Sequence, residues 1–374
     1  MGCVFQKSII MNYRKIICIV LAALCCLSYV AGQEFTNQVV RAYKVGRETS
    51  VDVFNKYGKI HVVPWEKDSV KFIIDLAIRN KDPEKLEKIK KSIRFEFTPA
   101  SSNVMAKTVI GDGNQVVFQD LANIAGSYFS APNQITIDYT IMVPGYTSLK
   151  LENKFGDVYT DDREGSLILT LSYGNFKANN LAGSTTIKLS SGDAEINSLN
   201  DGHLVVSYSN LHILKAQKLS LESRSSNITI DEMDELTLRS RRDKLILPRV
   251  RILKGDSYFS EFSILGLQDE LDFIFRYGSM TIDNILKSFS SVIINSEYTD
   301  LRLSFEKGSS YDIEITHHQD ALVSYPRSMG TLNVKTLSGP EKQKMTYGRL
   351  GTGQSDSRVS ILAPKKCVIS IIQK

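Results

Sequence analysis

Cysteine is nearly confined to one end of this chain. Of its five cysteines, Cys3, Cys18, Cys25 and Cys26 precede Gln33 and only Cys367 follows. Past residue 32 no intramolecular disulfide is possible, so a large apolar core must supply the stability. Long apolar runs are also missing there: no later stretch approaches the ~20 residues that a membrane-spanning helix needs. Histidine is sparse, a phosphate loop ending in Gly-Lys-Ser/Thr is absent, and there is no Gly-x-Ser-x-Gly elbow. These gaps remove the commonest nucleotide-binding and serine-hydrolase readings.

The N-terminus carries a different signal. "MNYRKIICIVLAALCCLSYVAGQEF" starts at Met11 with basic Arg14-Lys15, continues through an apolar stretch and reaches Val30-Ala31-Gly32, the pattern of a secretory signal. Residues 1–32 are expected to be removed, with Met11 an alternative start and a lipid anchor at Cys25 or Cys26 the rival reading. Leu24 and Cys25, which precede those cysteines, are not the usual small residues. Without Lys7, Arg14 and Lys15, the net charge falls from +5 to +2. A nearly neutral exported chain has no bulk attraction to nucleic acid, and the expected place is the periplasm or cell surface.

The remainder repeats itself. Anchoring each copy on a turn residue gives Gly58, Gly156, Gly174, Gly192, Ser209, Ser226, Asp243, Ser260, Gly278 and Thr299. After Gly156 the steps are 18, 18, 17, 17, 17, 17, 18 and 21 residues. Two places after the anchor every copy is apolar (Ile60, Val158, Phe176, Ala194, Leu211, Ile228, Leu245, Phe262, Met280, Leu301), and four places after it all but Thr160 are. Five places before it stand Leu151, Leu169, Ile187, Leu204, Leu221, Leu238, Phe273 and Ile294. Alternation with period 2 means strands with one buried face. A coil of 17 or 18 residues has an apolar face it cannot cover alone, so copies must stack.

The expected fold is all-β: a parallel β-helix-like solenoid with two strands per coil, rising about 4.8 Å per coil, or roughly 45 to 50 Å for ten. The alternative is an antiparallel β-sandwich of repeated hairpins. Glycine, asparagine and aspartate at the turns suggest corners that need positive φ.

Residues 33–374 read as one elongated domain, with regular coils over 150–305 and an irregular β segment over 306–374. In that last part Val359 and Ile361 could make one more copy. Residues 66–149 interrupt the period with a small α+β insertion expected to cap or extend the rod's first end. Its "KDPEKLEKIKKSI" (81–93) predicts a helix with Asp82 as N-cap, Pro83 in the first position, and Glu84–Lys88 and Glu87–Lys91 pairs. "VMAKTVIGDGNQVVF" predicts a hairpin turning at residues 111–114.

Chemistry is harder to find. His61 and His212 share an outward column many coils apart, and His317 and His318 point to opposite faces if they lie in a strand, most simply an exposed one. The Asp and Asn corner column lacks the glycine spacing of calcium-binding solenoids. Asp161-Asp162, Asp231-Glu232 and Asp234-Glu235 sit at corners, with nothing to set two carboxylates across a groove as glycosidases require. No cofactor or metal is expected. One outward column, two places before the anchor, stands out: Arg224, Arg241, Tyr258 and Arg276 would form a strip at one-coil spacing, with Arg239 and Arg242 nearby. Such a strip suits an acidic envelope glycan or the carboxylates of another envelope protein.

"VFNKYGKIHVVPW", "LENKFGDVYTDD" and "LSYGNFKANNL" resemble the toastrack-type adhesin family of exported bacterial β-repeat proteins. The Asn-x-(Tyr/Phe)-Gly-x-(Ile/Val) core of the first two carries the resemblance, over residues 50–65 and 148–305. It implies a β-solenoid-like fold and a non-enzymatic adhesin or binding scaffold, and supplies no catalytic residue. The alternatives are a polysaccharide-active β-solenoid enzyme and a periplasmic sensor or scaffold.

Overall fold

A computed structural model describes residues 33–111, 135–338, 342–354 and 356–374. The secretory segment with Cys25 and Cys26, and the hairpin expected beyond Gly111, lie outside the described residues.

Successive coils stack in parallel and in register. On one face Leu151, Leu169, Ile187, Leu204, Leu221 and Leu238 lie side by side. On the next, Ile60, Val158, Phe176, Ala194, Leu211, Ile228 and Leu245 do the same. These side chains are buried and belong to one continuous core. The protein is an all-β solenoid of about nine turns of about 18 residues, with one short α-helix among the described residues, near the N-terminal end. Parallel pairing rules out the antiparallel sandwich.

Each coil also has a third side. Seven places after the anchor, Leu181, Leu199, Ala216, Met233, Val250 and Leu267 pair in a short parallel rung and are buried. This short third side joins the two long sides of each coil within one run of strand, as in Asp193–Ser207 and Asn210–Arg224. At the first level of this third side Arg163 takes the inward place, opposite Leu181. Its guanidinium donates to Thr147 O and, at 3.2 Å, to Pro144 O. Burial pushes its pKa down to about 10.

The interruption between Gly58 and Gly156 does not disturb the stack. Ser50–Lys56 pairs directly with Ser148–Lys154, and Ile60 with Val158. The intervening chain extends the rod in the other direction, since Asn103–Ile110 and Ile135–Val143 run parallel beneath that first coil. Antiparallel strands Ile93–Pro99, Ser69–Asn80 and Gln33–Lys44 then cover the open edges. The helix runs Pro83–Ser92, with the Asp82 carboxylate accepting from Glu84 N at 3.0 Å and Lys85 N at 3.3 Å. Its ion pairs fall at i,i+3 (Asp82–Lys85, Glu87–Lys90) instead of the expected i,i+4. Lys90 also lies 4.4 Å from the Phe35 ring centroid, which holds it on that side.

At the far end chain order and stacking order part company. Arg358–Ala363 lies directly on residues 291–295 and Val368–Gln373 on residues 300–305, so Val359 and Ile361 do continue the repeat. Tyr311–His318 packs beyond them, and Gln343–Leu350 closes that edge antiparallel. His317 and His318 point to opposite sides of this strand, but His317 is buried, with Nε2 3.1 Å from Thr346 Oγ1, which corrects the exposed reading.

Inside the anchor corner two constructions alternate along the rod. In the first coils Asn153 donates to Gly58 O at 2.8 Å and Gly156 O at 2.9 Å, and Asn55 donates to Ile137 O at 2.9 Å. The asparagine of the Asn-x-aromatic-Gly motif thus satisfies corner carbonyls that the turn leaves open. Farther along, Ser209, Ser226, Asp243 and Ser260 take the glycine's place and form a buried ladder. Ser226 N donates to Asp243 Oδ1 at 2.8 Å, and Ser223 Oγ, Ser240 Oγ and Arg241 N donate to Oδ2 at 2.6, 2.7 and 2.9 Å.

Candidate functional site

Positive φ occurs at this corner, but not where expected. The left-handed residue is the one before the anchor: Tyr57, Phe155, Tyr173, Ser191, Tyr208, Ser225, Arg242, Phe259, Tyr277 and Tyr298 have φ between 51° and 66°. Each costs of order 1 kcal/mol or more in backbone strain. The cost is offset locally, because the N–H of the first seven of these residues bonds the next coil, as in Tyr173 N to Ser190 O and Tyr208 N to Arg224 O, both 3.0 Å. Glycine at the anchor serves a different need. A Cβ on Gly174 would lie 2.1 Å from Gly156 O, and one on Gly192 1.9 Å from Gly174 O. At Gly174 and Gly192 close stacking of backbone, not handedness, demands glycine, while Gly278, with φ of 147°, needs it on both counts.

This geometry points seven aromatic side chains outward along one edge. Tyr57, Phe155 and Tyr173 stack with centroids 5.5 and 5.1 Å apart, and Phe259, Tyr277 and Tyr298 with centroids 4.8 and 5.2 Å apart. Tyr208 stands between the two runs. The aromatic column is readable in the sequence as the place before each anchor, although its role appears only with the backbone conformation. Lys56 and Lys154 lie over the first run, 4.9 Å from the Tyr57 centroid and 5.0 Å from that of Phe155. Burial pushes the Lys56 ammonium down and the Tyr57 hydroxyl up in pKa.

Arg224, Arg241, Tyr258 and Arg276 occupy matching places in successive coils beside this ladder. Arg224 lies 5.7 Å from the Tyr208 centroid, Tyr258 packs edge-on against Phe259 at 4.6 Å, and Arg276 approaches Glu297 at 3.5 Å. Among the described residues no carboxylate lies within ion-pair distance of Arg241 or Arg242. Arg239, by contrast, is balanced by Glu222 and Asp256. Arg241, Tyr258 and Arg276, with Asp256 and Ser257, line a shallow groove of about 320 Å³.

The other candidates disperse. His212 pairs with Asp231 at 3.1 Å, far along the rod from His61. Asp162 accepts from the Asn180 amide at 2.8 Å. Asp234 and Glu235 both hold Arg251, and its hydrogen bond draws the Asp234 carboxyl below the usual range. Glu232 pairs with Arg249 at 2.9 Å. Cys367 is buried beside Ser296. A second open groove, of about 550 Å³, lies by His61, Tyr159 and the Lys177–Glu195 pair. No group of histidine, cysteine and acidic side chains among the described residues is placed to hold a metal ion. No helix among them is long and apolar enough to cross a membrane.

No protein-family model and no curated protein matches the chain. Among solved structures it is similar to a "putative cell adhesion protein" of Clostridium sporogenes ATCC 15579, at 12% identity over 91% of this chain and 100% of that one, with TM-score 0.20. It is also similar to a "putative adhesin" of Bacteroides fragilis NCTC 9343, at 12% identity over 66% of this chain and 97% of that one, with TM-score 0.28. At such scores neither likeness carries an argument, and the solenoid is read from this chain's own strand register.

Proposed function

We propose that this chain is a non-enzymatic exported binding scaffold of the adhesin kind, and that the corner edge bearing Arg224, Arg241, Tyr258 and Arg276 contacts an acidic envelope glycan. The observation that supports the reading is the in-register column of cations beside exposed aromatic rings, with no carboxylate among the described residues within ion-pair distance of Arg241 or Arg242. Cations one coil apart (Arg224, Arg241) and two coils apart (Arg241, Arg276) suit a polymer carrying repeated negative charge, and guanidinium groups suit its carboxylates or sulfates. Asp231, Glu232, Asp234 and Glu235 are engaged with His212, Arg249 and Arg251, which supports binding over hydrolysis at those corners.

Replacing Arg224, Arg241 and Arg276 together with serine should abolish retention on a dextran sulfate column at low salt. Unchanged retention removes the reading. The place of action is tested by adding protease to intact cells: cleavage of the chain there supports the cell surface, and protection supports the periplasm.

A further inference from the structure

We infer that Ser191 marks a slot for a single sugar ring, held between Tyr173 and Tyr208. The inference rests on the reading of this edge as a glycan-contacting surface and names a subsite within it. Tyr173, Ser191 and Tyr208 are consecutive members of the corner column and share one backbone conformation, with φ of 56°, 57° and 54°. Each is also bonded to the following coil in the same way. The two tyrosines therefore leave the backbone in the same direction, separated by a rung that carries only a hydroxymethyl group.

The covered faces define the open ones. Phe155 stacks on Tyr173 from one side at 5.1 Å and 14°. Arg224 lies over Tyr208 from the coil of Ser225. What remains is the Ser191 side of each ring, and these two tyrosines are the most exposed members of the ladder, at 55% and 57%.

Two strand spacings set them about 9.6 Å apart. Carbon atoms in contact sit about 3.5 to 4.0 Å apart, so a flat aromatic guest would fill only about 7 Å of that space. A puckered pyranose, thicker by its ring pucker and axial hydrogens, fits better, with its C–H faces against the rings. The borders are polar on both sides. Ser172, Ser190 and Ser207 run along one flank in register. Asn175, Asp193 and Asn210 run along the other, with Asp193 accepting from the Asn210 amide at 2.7 Å. Hydroxyls, amides and a carboxylate around an aromatic sandwich are groups that bond sugar hydroxyls. Ser225, the other serine in the column, makes no such slot, because Arg224 already occupies the adjacent face of Tyr208.

The decisive variant is Ser191→Tyr. Tyrosine is accommodated at this left-handed place in five other coils, so the variant should fold and continue the ladder while filling the slot. Affinity electrophoresis of the exported chain through gels containing the neutral polysaccharides dextran, mannan, galactan or xylan is the readout. The expected result is retardation in at least one gel, weakened at least tenfold by Ser191→Tyr and by Tyr208→Ala, with the melting temperature of Ser191→Tyr not lowered. Absence of retardation of the unaltered chain in every gel overturns the slot, as does undiminished retardation of Ser191→Tyr. Retention on dextran sulfate keeps the two proposals apart: Ser191→Tyr should leave it intact, whereas the triple arginine variant should lose it.

Discussion

Between Gly156 and Gly278, steps that end on glycine take 18 residues, and steps that end on serine or aspartate take 17. The extra residue is not at that corner. It sits at the third side, where Ala182 and Gly183 lie opposite Asn200 alone, and Gln268 and Asp269 opposite Arg251 alone. The residue before the anchor keeps its left-handed conformation throughout, with φ of 56° at Tyr173 and 51° at Ser225. The glycine coils let backbones meet so closely that no Cβ fits, whereas the serine coils hold side chains there and bond them into a ladder. One backbone turn is thus stabilised by packing in one stretch and by buried hydrogen bonds in the next.

The largest effect should come from breaking the packing solution. Gly174→Ala places a Cβ 2.1 Å from Gly156 O, a backbone atom that cannot move without separating two coils. We expect a loss above about 5 kcal/mol in urea denaturation followed by circular dichroism, or failure to fold. A loss under 1 kcal/mol would show that the coils can slide apart freely.

The bonding solution breaks next. Asp243→Ala strands the Ser223 hydroxyl and the N–H groups of Ser226 and Arg241, and leaves the Ser240 hydroxyl only Ser260 Oγ at 2.9 Å; all four donate to one buried carboxylate. Hydrogen bonds to a charged acceptor contribute more than neutral ones, and orphaned donors cost further, so about 4 kcal/mol is expected by the same measurement. Asp243→Asn should cost less, since its amide oxygen still accepts.

Alkaline pH should separate the two stretches without any change in the serine ladder. Beneath the glycine coils, Thr108 Oγ1 bonds both Asn55 Oδ1 at 3.0 Å and Tyr139 OH at 2.8 Å. Burial pushes the Tyr139 hydroxyl from its ordinary 10.0 up to about 12, outweighing the opposing effect of Thr108. The folded state favours the protonated phenol, so its contribution is complete below pH 10 and is lost as pH rises from 10 to 12. At 1.36 kcal/mol per pH unit this amounts to about 3 kcal/mol. Tyr139→Phe should flatten that part of the stability profile, and an unchanged slope would assign it to other groups. Tyr311, buried at the far end, is raised in the same direction, so the variant is compared with the unaltered chain at each pH.

The positions of the ten corners and the inward columns are legible in the sequence because alternation at a fixed step is a backbone property. The Asp82 cap of the helix is legible for the same local reason. The third side is not, since one inward residue per rung, such as Ala216 or Met233, shows no alternation. The insertion at the far end is hidden as well: residues 358–373 stack before residues 311–324, an order that no linear pattern encodes. The strip of Arg224, Arg241, Tyr258 and Arg276 is legible as a column, but the aromatic ladder beside it gains its outward aim from φ values that propensity alone would assign to the glycines. Composition likewise cannot foretell that Asp256 shares the groove with Arg241 and Arg276.

The two solutions should not be interchangeable in both directions, and Ser209→Gly tests this with the smallest effect. Ser209 Oγ accepts from Gly192 N at 3.3 Å and donates to Ser207 O at 2.8 Å, so its loss removes bonds at a corner whose neighbour, Gly192, already dispenses with a side chain. Two neutral hydrogen bonds, one of them long, and the added backbone freedom of glycine together cost about 2 kcal/mol. The reverse exchange, Gly192→Ser, meets Gly174 O at 1.9 Å and should cost several times more. Equal losses from the two exchanges would mean that the corner responds only to side-chain bonding, and the distinction between packed and bonded coils would fall.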